Sequence, residues 1–203
     1  MTPLADMSLL SSFLLIFVSA AFTDNILLAR FLGMCSCLGV SKKVDTSIGL
    51  GTAVIFVTAC TAALNYLVYR YLLVPLGLDY LRLITFIVVI AAFTQFVEMV
   101  IERVSEKLYN ALGIFLPLIT VNCAILGASL FMVIREYTLA TSFFFGLGSG
   151  IGWALAIVAM AGIRQKLKSA KIPPGLEGPG ITLVIAGFMA MAFMGFSGMI
   201  ALT

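Results

Sequence analysis

The sequence predicts an all-α integral membrane protein whose six transmembrane helices form two halves of three helices each. Of its 203 residues 62% are hydrophobic and only 10% are charged, and its mean hydropathy is +1.17. A soluble domain of this length carries roughly 25% charged residues. Apolar runs of about 20 residues, enough to cross a bilayer core, recur along the chain. Little sequence is left for a domain in water, so any such domain is expected from a partner chain.

The first predicted span, residues 9–40, is too long to be one straight transmembrane helix. A continuous helix of this length would measure about 48 Å at 1.5 Å per residue, against a bilayer core of about 30 Å. It also contains Asp24, Asn25, Arg30 and Gly33. We therefore expect a broken or re-entrant helix whose irregular backbone is buried in protein. The second and third spans, residues 46–69 and 83–101, have ordinary lengths.

The second half repeats this plan, with spans predicted at residues 108–134, 139–163 and 181–202. The fourth span is again too long, and Gly113 and Pro117 are expected to break it. The fifth span has a glycine at every second position from Gly146 to Gly152, which spreads the glycines around a helix instead of lining one face. We expect close helix packing there, with a kink as a further option.

The positions of lysine and arginine predict how the chain lies in the membrane. The loops after the first, third and fifth spans carry Lys42, Lys43, Arg103, Lys107, Arg164, Lys166, Lys168 and Lys171, whereas the opposite side carries Arg70, Arg82 and Arg135. By the positive-inside rule the first set faces the cytoplasm, and both termini face outward. Three spans per half then make residues 8–102 and 108–202 an inverted repeat within one membrane domain, in which the broken helices meet near the midplane.

The four cysteines, Cys35, Cys37, Cys60 and Cys123, lie in apolar surroundings, and the chain has no histidine. Any one of them alone is most simply a packing residue. Cys35 and Cys123 differ because they lie in the broken spans of the two halves, so we expect them to approach each other. Two thiolates are half of the ligand set of an iron–sulfur cluster, which a homologous partner would complete. A disulfide is the other option. We interpret Cys37 and Cys60 as packing residues.

Charged residues inside the predicted spans have two interpretations each. A carboxylate within a span, as at Glu98, is by default a functional hypothesis. Glu98 is also close enough to the end of its span to reach water beside Glu102 and Arg103. Asp24 and Arg30 either pair across the break in the first span or line a polar passage. Phosphate-binding loops, zinc-protease motifs and nucleophile elbows are missing from the sequence, and nucleic-acid binding has no support.

Four stretches together resemble one family of membrane subunits. They are GMCSCLGVSKK (33–43), YNALGIFLPLITVNCAILG (109–127), GLGSGIGWALAIVAMAGIR (146–164) and PPGLEGPGIT (173–182). They resemble the integral membrane subunits of the sodium-translocating NADH:quinone reductase and of the related Rnf electron-transport complex, over nearly the whole chain. The TVNC and GSGIGW segments favour the E-type subunit of the quinone reductase. The short second loop and the RFLG segment at Arg30 favour the A-type subunit of the Rnf complex.

The resemblance implies a function that residue spacing does not show. Members of the family have six spans in an inverted repeat and pair with a homologous subunit of opposite topology in the bacterial inner membrane. The pair shares a [2Fe-2S] cluster, for which Cys35 and Cys123 are the matching ligands here, and Glu98 matches a candidate carboxylate of the ion path.

As one component of an oxidoreductase complex, and not catalytic alone, such a chain carries electrons across the membrane and couples them to Na⁺ or H⁺ translocation. Other subunits of the complex bind NADH, FAD and FMN, and no flavin is expected on this chain. A secondary transporter and a structural membrane scaffold are the alternatives from other functional classes.

Overall fold

The structure of the protein, a computed structural model, is mostly helical and contains no strand among the residues it describes. The described residues are 3–41, 44–104, 116–167, 175 and 178–195, with backbone alone for residues 3–10, 40, 104 and 116. The helices are α1 (Pro3–Val18), α2 (Met34–Val40), α3 (Val44–Val68), α4 (Arg82–Val104), α5 (Leu116–Thr120), α6 (Cys123–Ile134), α7 (Leu139–Leu167) and α8 (Pro179–Met194). The prediction of an all-α protein is confirmed for this part of the chain.

Four helical segments are long and apolar enough to cross a membrane. They are Val44–Leu76, Asp79–Arg103, Pro117–Ile134 and Leu139–Leu167, and two shorter apolar helices cover Ser11–Thr23 and Pro179–Met194. The described part of the chain thus contains four helices able to span a membrane, while the six-span inverted repeat stays a prediction. Several residues used in that prediction lie outside the described residues: Lys42, Lys43, Lys107, Tyr109, Asn110, Gly113, Phe115, Lys168, Lys171, Pro173 and Pro174.

Both of the overlong spans are interrupted. α1 ends in a π-helical turn, Ser19–Thr23, and regular helix resumes only at Met34. In the fourth span the described interruption lies at Val121 and Asn122, between α5 and α6. Pro117, which we expected to break this span, is instead the second residue of α5. A proline is tolerated in the first turn of a helix because the amide it lacks would have no intrahelical partner there.

Two predicted loops are shorter than the sequence suggested. α3 continues through a π-helical turn (Tyr69–Leu73) and a further turn (Val74–Leu76), so Arg70 lies in helix and not in a loop. The chain turns at Gly77, whose φ of +65° is a left-handed conformation that ends helices. α7 likewise extends to Leu167, which places Arg164 within the helix. Arginine, glutamine, lysine and leucine all favour helix, so nothing stops α7 earlier.

The centre of the bundle is an antiparallel contact between α3 and α7. Gly146 and Gly150 of α7 face α3 so closely that a Cβ on either would lie 2.9 Å from α3 backbone, at the Thr58 carbonyl oxygen and the Ile55 Cα respectively. Towards the other end of the contact, Gly51 of α3 faces Ala154 of α7. Small residues at intervals of four let two apolar helices pack backbone to backbone.

The other two glycines of α7 form a second stripe that faces the first span. A Cβ on Gly148 would lie 2.7 Å from the Phe17 carbonyl oxygen, and one on Gly152 would lie 2.6 Å from the Ala21 carbonyl oxygen. As predicted, the four glycines do not line a single face of α7. They form two stripes instead, each with a spacing of four residues. α7 remains one continuous helix from Leu139 to Leu167, and the kink that we considered stays a prediction.

Candidate functional site

The structure brings Cys35 and Cys123 together. Cys35 is the second residue of α2, Cys123 is the first residue of α6, and the two side chains are close enough to interact electrostatically. Both are free thiols and not a disulfide. The Gly33 amide donates a hydrogen bond of 2.8 Å to Cys123 Sγ. The two interrupted spans therefore meet at a pair of sulfur atoms, and an irregular stretch of backbone supplies one of the hydrogen bonds.

Gly33 is the residue that lets the first span close over this pair. Its φ is +84°, a conformation that costs a residue with a side chain roughly 1–2 kcal/mol. A Cβ at this position would lie 2.4 Å from Trp153 Nε1 and 3.0 Å from Asn122 Oδ1. Because the site is this tight, only glycine allows the amide to reach Cys123 without displacing the indole of Trp153.

Asn122 holds Cys123 at the start of α6. Its backbone is extended (φ −74°, ψ 111°), and its side-chain Oδ1 accepts a hydrogen bond of 3.1 Å from the Ala124 amide. This is the usual N-cap arrangement, and it satisfies one of the free amides of the first turn.

Two N–H donors that surround Gly33 have no hydrogen-bond partner among the described residues: Asn122 Nδ2 and Trp153 Nε1. Both side chains are almost fully buried. Neither residue was predicted from the sequence to belong to the site, since a lone tryptophan in an apolar helix gives no signal for it. Unpaired donors are unusual in a protein interior, and here they surround the residue whose amide binds a sulfur atom.

Asn25 stabilises the interruption in the first span. Its Nδ2 donates to the Gly152 carbonyl oxygen at 2.7 Å and to the Ala21 carbonyl oxygen at 3.0 Å. Its Oδ1 accepts hydrogen bonds from the amides of Leu27 and Leu28. One buried side chain thus replaces helical hydrogen bonds that the break removes, as backbone at membrane depth requires.

The thiol pair lies level with the middle of α7. Trp153, which contacts Gly33, is the central residue of this 29-residue helix. At 1.5 Å per residue the site is about 21 Å from either end of α7. Cys35 is exposed on the surface of this chain, whereas Cys123 is half-buried. One of the two sulfur-bearing side chains therefore lies on the surface of this chain.

Within the described residues, no cluster of three or more His, Cys, Asp or Glu side chains is placed to hold a metal ion. Among the described residues, the thiol pair thus supplies two ligands of the four that a four-ligand site needs. Cys37 is buried in the hydrophobic core and Cys60 is half-buried on α3, as expected of packing residues.

Asp24 and Glu98, the acidic residues singled out from the sequence, lie in other parts of the structure than the thiol pair. Asp24 forms ion pairs with Arg30, at 2.9 Å, and with Arg135 at the end of α6. This arrangement favours the structural interpretation of Asp24, because the pairs fasten the interruption to the loop between α6 and α7.

Glu98 is half-buried on α4, one turn beyond Thr94, whose hydroxyl accepts a hydrogen bond of 3.1 Å from Thr120.

Arg164 connects α7 to the end of α2. Its Nη1 donates to Ser41 Oγ at 2.6 Å and to the Leu38 carbonyl oxygen at 3.2 Å. A cation at the carboxyl end of a helix interacts favourably with the free carbonyl groups. This residue, which the sequence marked only as an orientation signal, also fixes the short helix that carries Cys35.

Comparison with known proteins places the chain among membrane subunits. The family described as "Rnf-Nqr subunit, membrane protein" matches residues 13–200. The chain is 54% identical over 193 residues to a protein of Maridesulfovibrio salexigens that is named as the E subunit of a Na(+)-translocating NADH-quinone reductase, and the alignment covers 90% of this chain and 96% of that protein. Proteins of the same name from Ectopseudomonas mendocina and Dichelobacter nodosus are each 53% identical, over 90% and 92% of this chain and 96% and 97% of their own lengths. The chain therefore belongs to the Rnf-Nqr family of membrane subunits.

Proposed function

We propose that this chain is the E-type membrane subunit of a sodium-translocating NADH:quinone reductase. In this proposal it carries electrons through an iron–sulfur cluster shared with a homologous subunit of opposite topology. The observation that carries the proposal is the Cys35–Cys123 pair, which lies level with the middle of α7 with Cys35 exposed. The names of the similar proteins support the choice of complex.

The residues present fit half of a [2Fe-2S] site. Such clusters are held by four cysteine thiolates, and two thiols of this chain lie side by side. The Gly33 amide already donates to Cys123 Sγ, and hydrogen bonds to sulfur ligands are one way in which proteins adjust cluster potentials. The exposed Cys35 is suited to a group that extends beyond this chain. The partner subunit would provide the remaining two thiolates.

The chain's own residues position and insulate this site. When bound, an iron–sulfur cluster accepts and releases electrons one at a time. Gly33 and Asn122 hold the two ligand-bearing segments, and Trp153 closes the site on the side of α7. The apolar surroundings strengthen electrostatic interactions, so a change of charge at the site would bias the two interrupted spans between alternative arrangements. Ion translocation would be coupled through that bias.

The complex supplies what this chain lacks. NADH, FAD and FMN would be bound by other subunits, so the chain is not catalytic alone. Na⁺, or H⁺ in its place, would be the translocated ion, and Glu98 is the candidate carboxylate of its path. The bacterial inner membrane is the location that the family resemblance implies, and the distribution of lysine and arginine favours both termini on the periplasmic side.

The A-type subunit of an Rnf ion-translocating ferredoxin:NAD oxidoreductase complex is the alternative within the family. The names of the similar proteins favour the quinone reductase over this alternative. A secondary transporter and a structural scaffold are further alternatives, and neither needs two adjacent thiols at one depth.

The test is the iron content and the EPR spectrum of the detergent-purified native complex, at equal subunit stoichiometry. We expect Cys35→Ala and Cys123→Ala each to remove one iron–sulfur signal from an assembled complex. Cys60→Ala is the matched control, since Cys60 is also a half-buried cysteine of a membrane helix but is interpreted as a packing residue. Its complex should keep every signal.

Unchanged iron and an unchanged spectrum in both test variants would show that the thiol pair holds no cluster. Normal electron flow in these variants would then support the scaffold. Ion transport by the isolated, iron-free chain would support the transporter.

A further inference from the structure

A polar cleft opens at the end of the bundle where α3 passes into its helical extension and where α6 meets α7. Its volume is about 560 Å³. Tyr69 of α3, Val133 of α6 and Thr138, just before α7, contribute to its wall. Three charged residues also line the cleft. Arg70 carries one positive charge, and Asp79 and Glu136 carry one negative charge each, so the lining has a net charge of −1. The cleft therefore favours cations over anions.

A buried layer of polar side chains lies one helical turn from this wall, towards the interior of the bundle. Its members are Asn65, four residues before Tyr69, Ser129, four residues before Val133, and Ser142, four residues after Thr138. Residues four apart lie on the same face of a helix, so the three side chains follow the cleft towards the interior of the bundle. All three are buried, with at most 1% of their surface exposed.

Packing between the helices places the members of this layer at one level. Asn65 Nδ2 donates to Ser129 Oγ at 2.8 Å, which joins α3 to α6. On α7, Gly146 faces Ala62 of α3. Because the two helices run antiparallel, Ser142, four residues before Gly146, lies level with Tyr66, four residues after Ala62, and with its neighbour Asn65.

Two oxygen atoms of this layer have no hydrogen-bond partner among the described residues: Asn65 Oδ1 and Ser142 Oγ. Leaving a polar atom unpaired in an apolar interior is unfavourable, so nearly all such atoms have a partner or a ligand. By contrast, the buried hydroxyl of Thr61, one turn deeper on α3, donates to the Val57 carbonyl oxygen at 2.7 Å.

We propose that Asn65, Ser129 and Ser142 form a binding site for a small monovalent cation that enters through the Tyr69 cleft. Oxygen atoms are the ligands that hard cations prefer. The side chains of the layer are neutral, which suits a single positive charge better than the double charge of Mg²⁺ or Ca²⁺. The proposal shares only the sodium ion with the proposed function and does not depend on the thiol pair.

The test is Na⁺ binding by the purified complex, measured by equilibrium dialysis with radioactive sodium. Thermal unfolding in NaCl, KCl and choline chloride at equal ionic strength gives a second readout. Asn65→Leu removes the unpaired carbonyl, and Ser142→Ala removes one hydroxyl with little change in volume. We expect each variant to lose one bound Na⁺ per complex, or to bind that ion at least about tenfold more weakly.

Thr61→Val is the control, because it removes a buried hydroxyl that is already paired within its own helix. It should bind Na⁺ as the wild type does. Equal Na⁺ binding in the wild type and in folded Ser142→Ala would overturn the proposal and leave the layer as a site for water alone. Loss of binding in Thr61→Val as well would also overturn it, because the effect would then be a general disturbance of α3. Neither result bears on the iron measurement, so the two proposals fail separately.

Discussion

Replacing Gly33 by alanine tests the tight packing at the thiol pair. Two effects add in this variant. A side chain at φ +84° costs about 1–2 kcal/mol, and a Cβ at 2.4 Å from Trp153 Nε1 forces a buried indole to move, as overpacking does at a cost of about 1–3 kcal/mol. We therefore expect Gly33→Ala to lower the stability of the protein by about 2–5 kcal/mol.

Gly77→Ala is the matched control for the backbone effect. Gly77 also has a left-handed conformation, with φ +65°, but a Cβ there would meet nothing within 4 Å. This variant should cost only about 1–2 kcal/mol. Thermal and denaturant unfolding of the two variants in the same detergent gives the difference in stability, which reports the packing around Gly33, with Trp153 as the nearest neighbour.

The site provides a second measurement. A shifted Gly33 cannot keep its amide 2.8 Å from Cys123 Sγ, so the rate of alkylation of Cys123 should change in Gly33→Ala and stay as in the wild type in Gly77→Ala. If both variants were equally stable and equally reactive, the idea that Trp153 presses on Gly33 would have to be abandoned.

Two further predictions concern the framework of the fold. Asp24→Asn weakens the ion pairs with Arg30 and Arg135. Because Asp24 is only partly exposed, we expect the free energy of unfolding to fall by about 1–2 kcal/mol, measured as a lower melting temperature. An unchanged melting temperature would mean that the pairs are ordinary surface contacts. Gly146→Val should prevent assembly of a folded protein, judged by size-exclusion chromatography in detergent, whereas Gly162→Val on the same helix should be tolerated because a Cβ there meets nothing within 4 Å. Equal yields of both would refute the close contact of α3 with α7.

The membrane class and the interrupted first span could be predicted from sequence because they depend on composition and length. About 20 residues are enough to cross a bilayer core, and a run well beyond that length with Asp24, Asn25 and Gly33 inside it favours an interruption. The end of a helix is less predictable. Arg70 and Arg164 were assigned to loops because they are charged, yet arginine favours helix and both residues continue the helices that precede them.

Tertiary contacts could not be predicted from the sequence for a different reason. A glycine at every second position of α7 gave no preferred face, because the pattern combines two stripes that serve two neighbours, α3 and α1. Which glycine faces which helix depends on where those helices lie. The same holds for Trp153, which becomes a neighbour of Gly33 only through the packing of α7 against the first span.

The thiol pair lies at the two interruptions for a reason that backbone chemistry supplies. In a continuous helix each amide is bonded to the carbonyl four residues earlier, so no backbone donor is free to approach a sulfur atom. At the interruptions some amides need other acceptors, and Asn25 and Asn122 provide them for three. The Gly33 amide is directed to Cys123 Sγ instead. Interrupting both spans thus frees a backbone hydrogen-bond donor for Cys123 Sγ, which a pair of unbroken helices carrying the same two cysteines would lack.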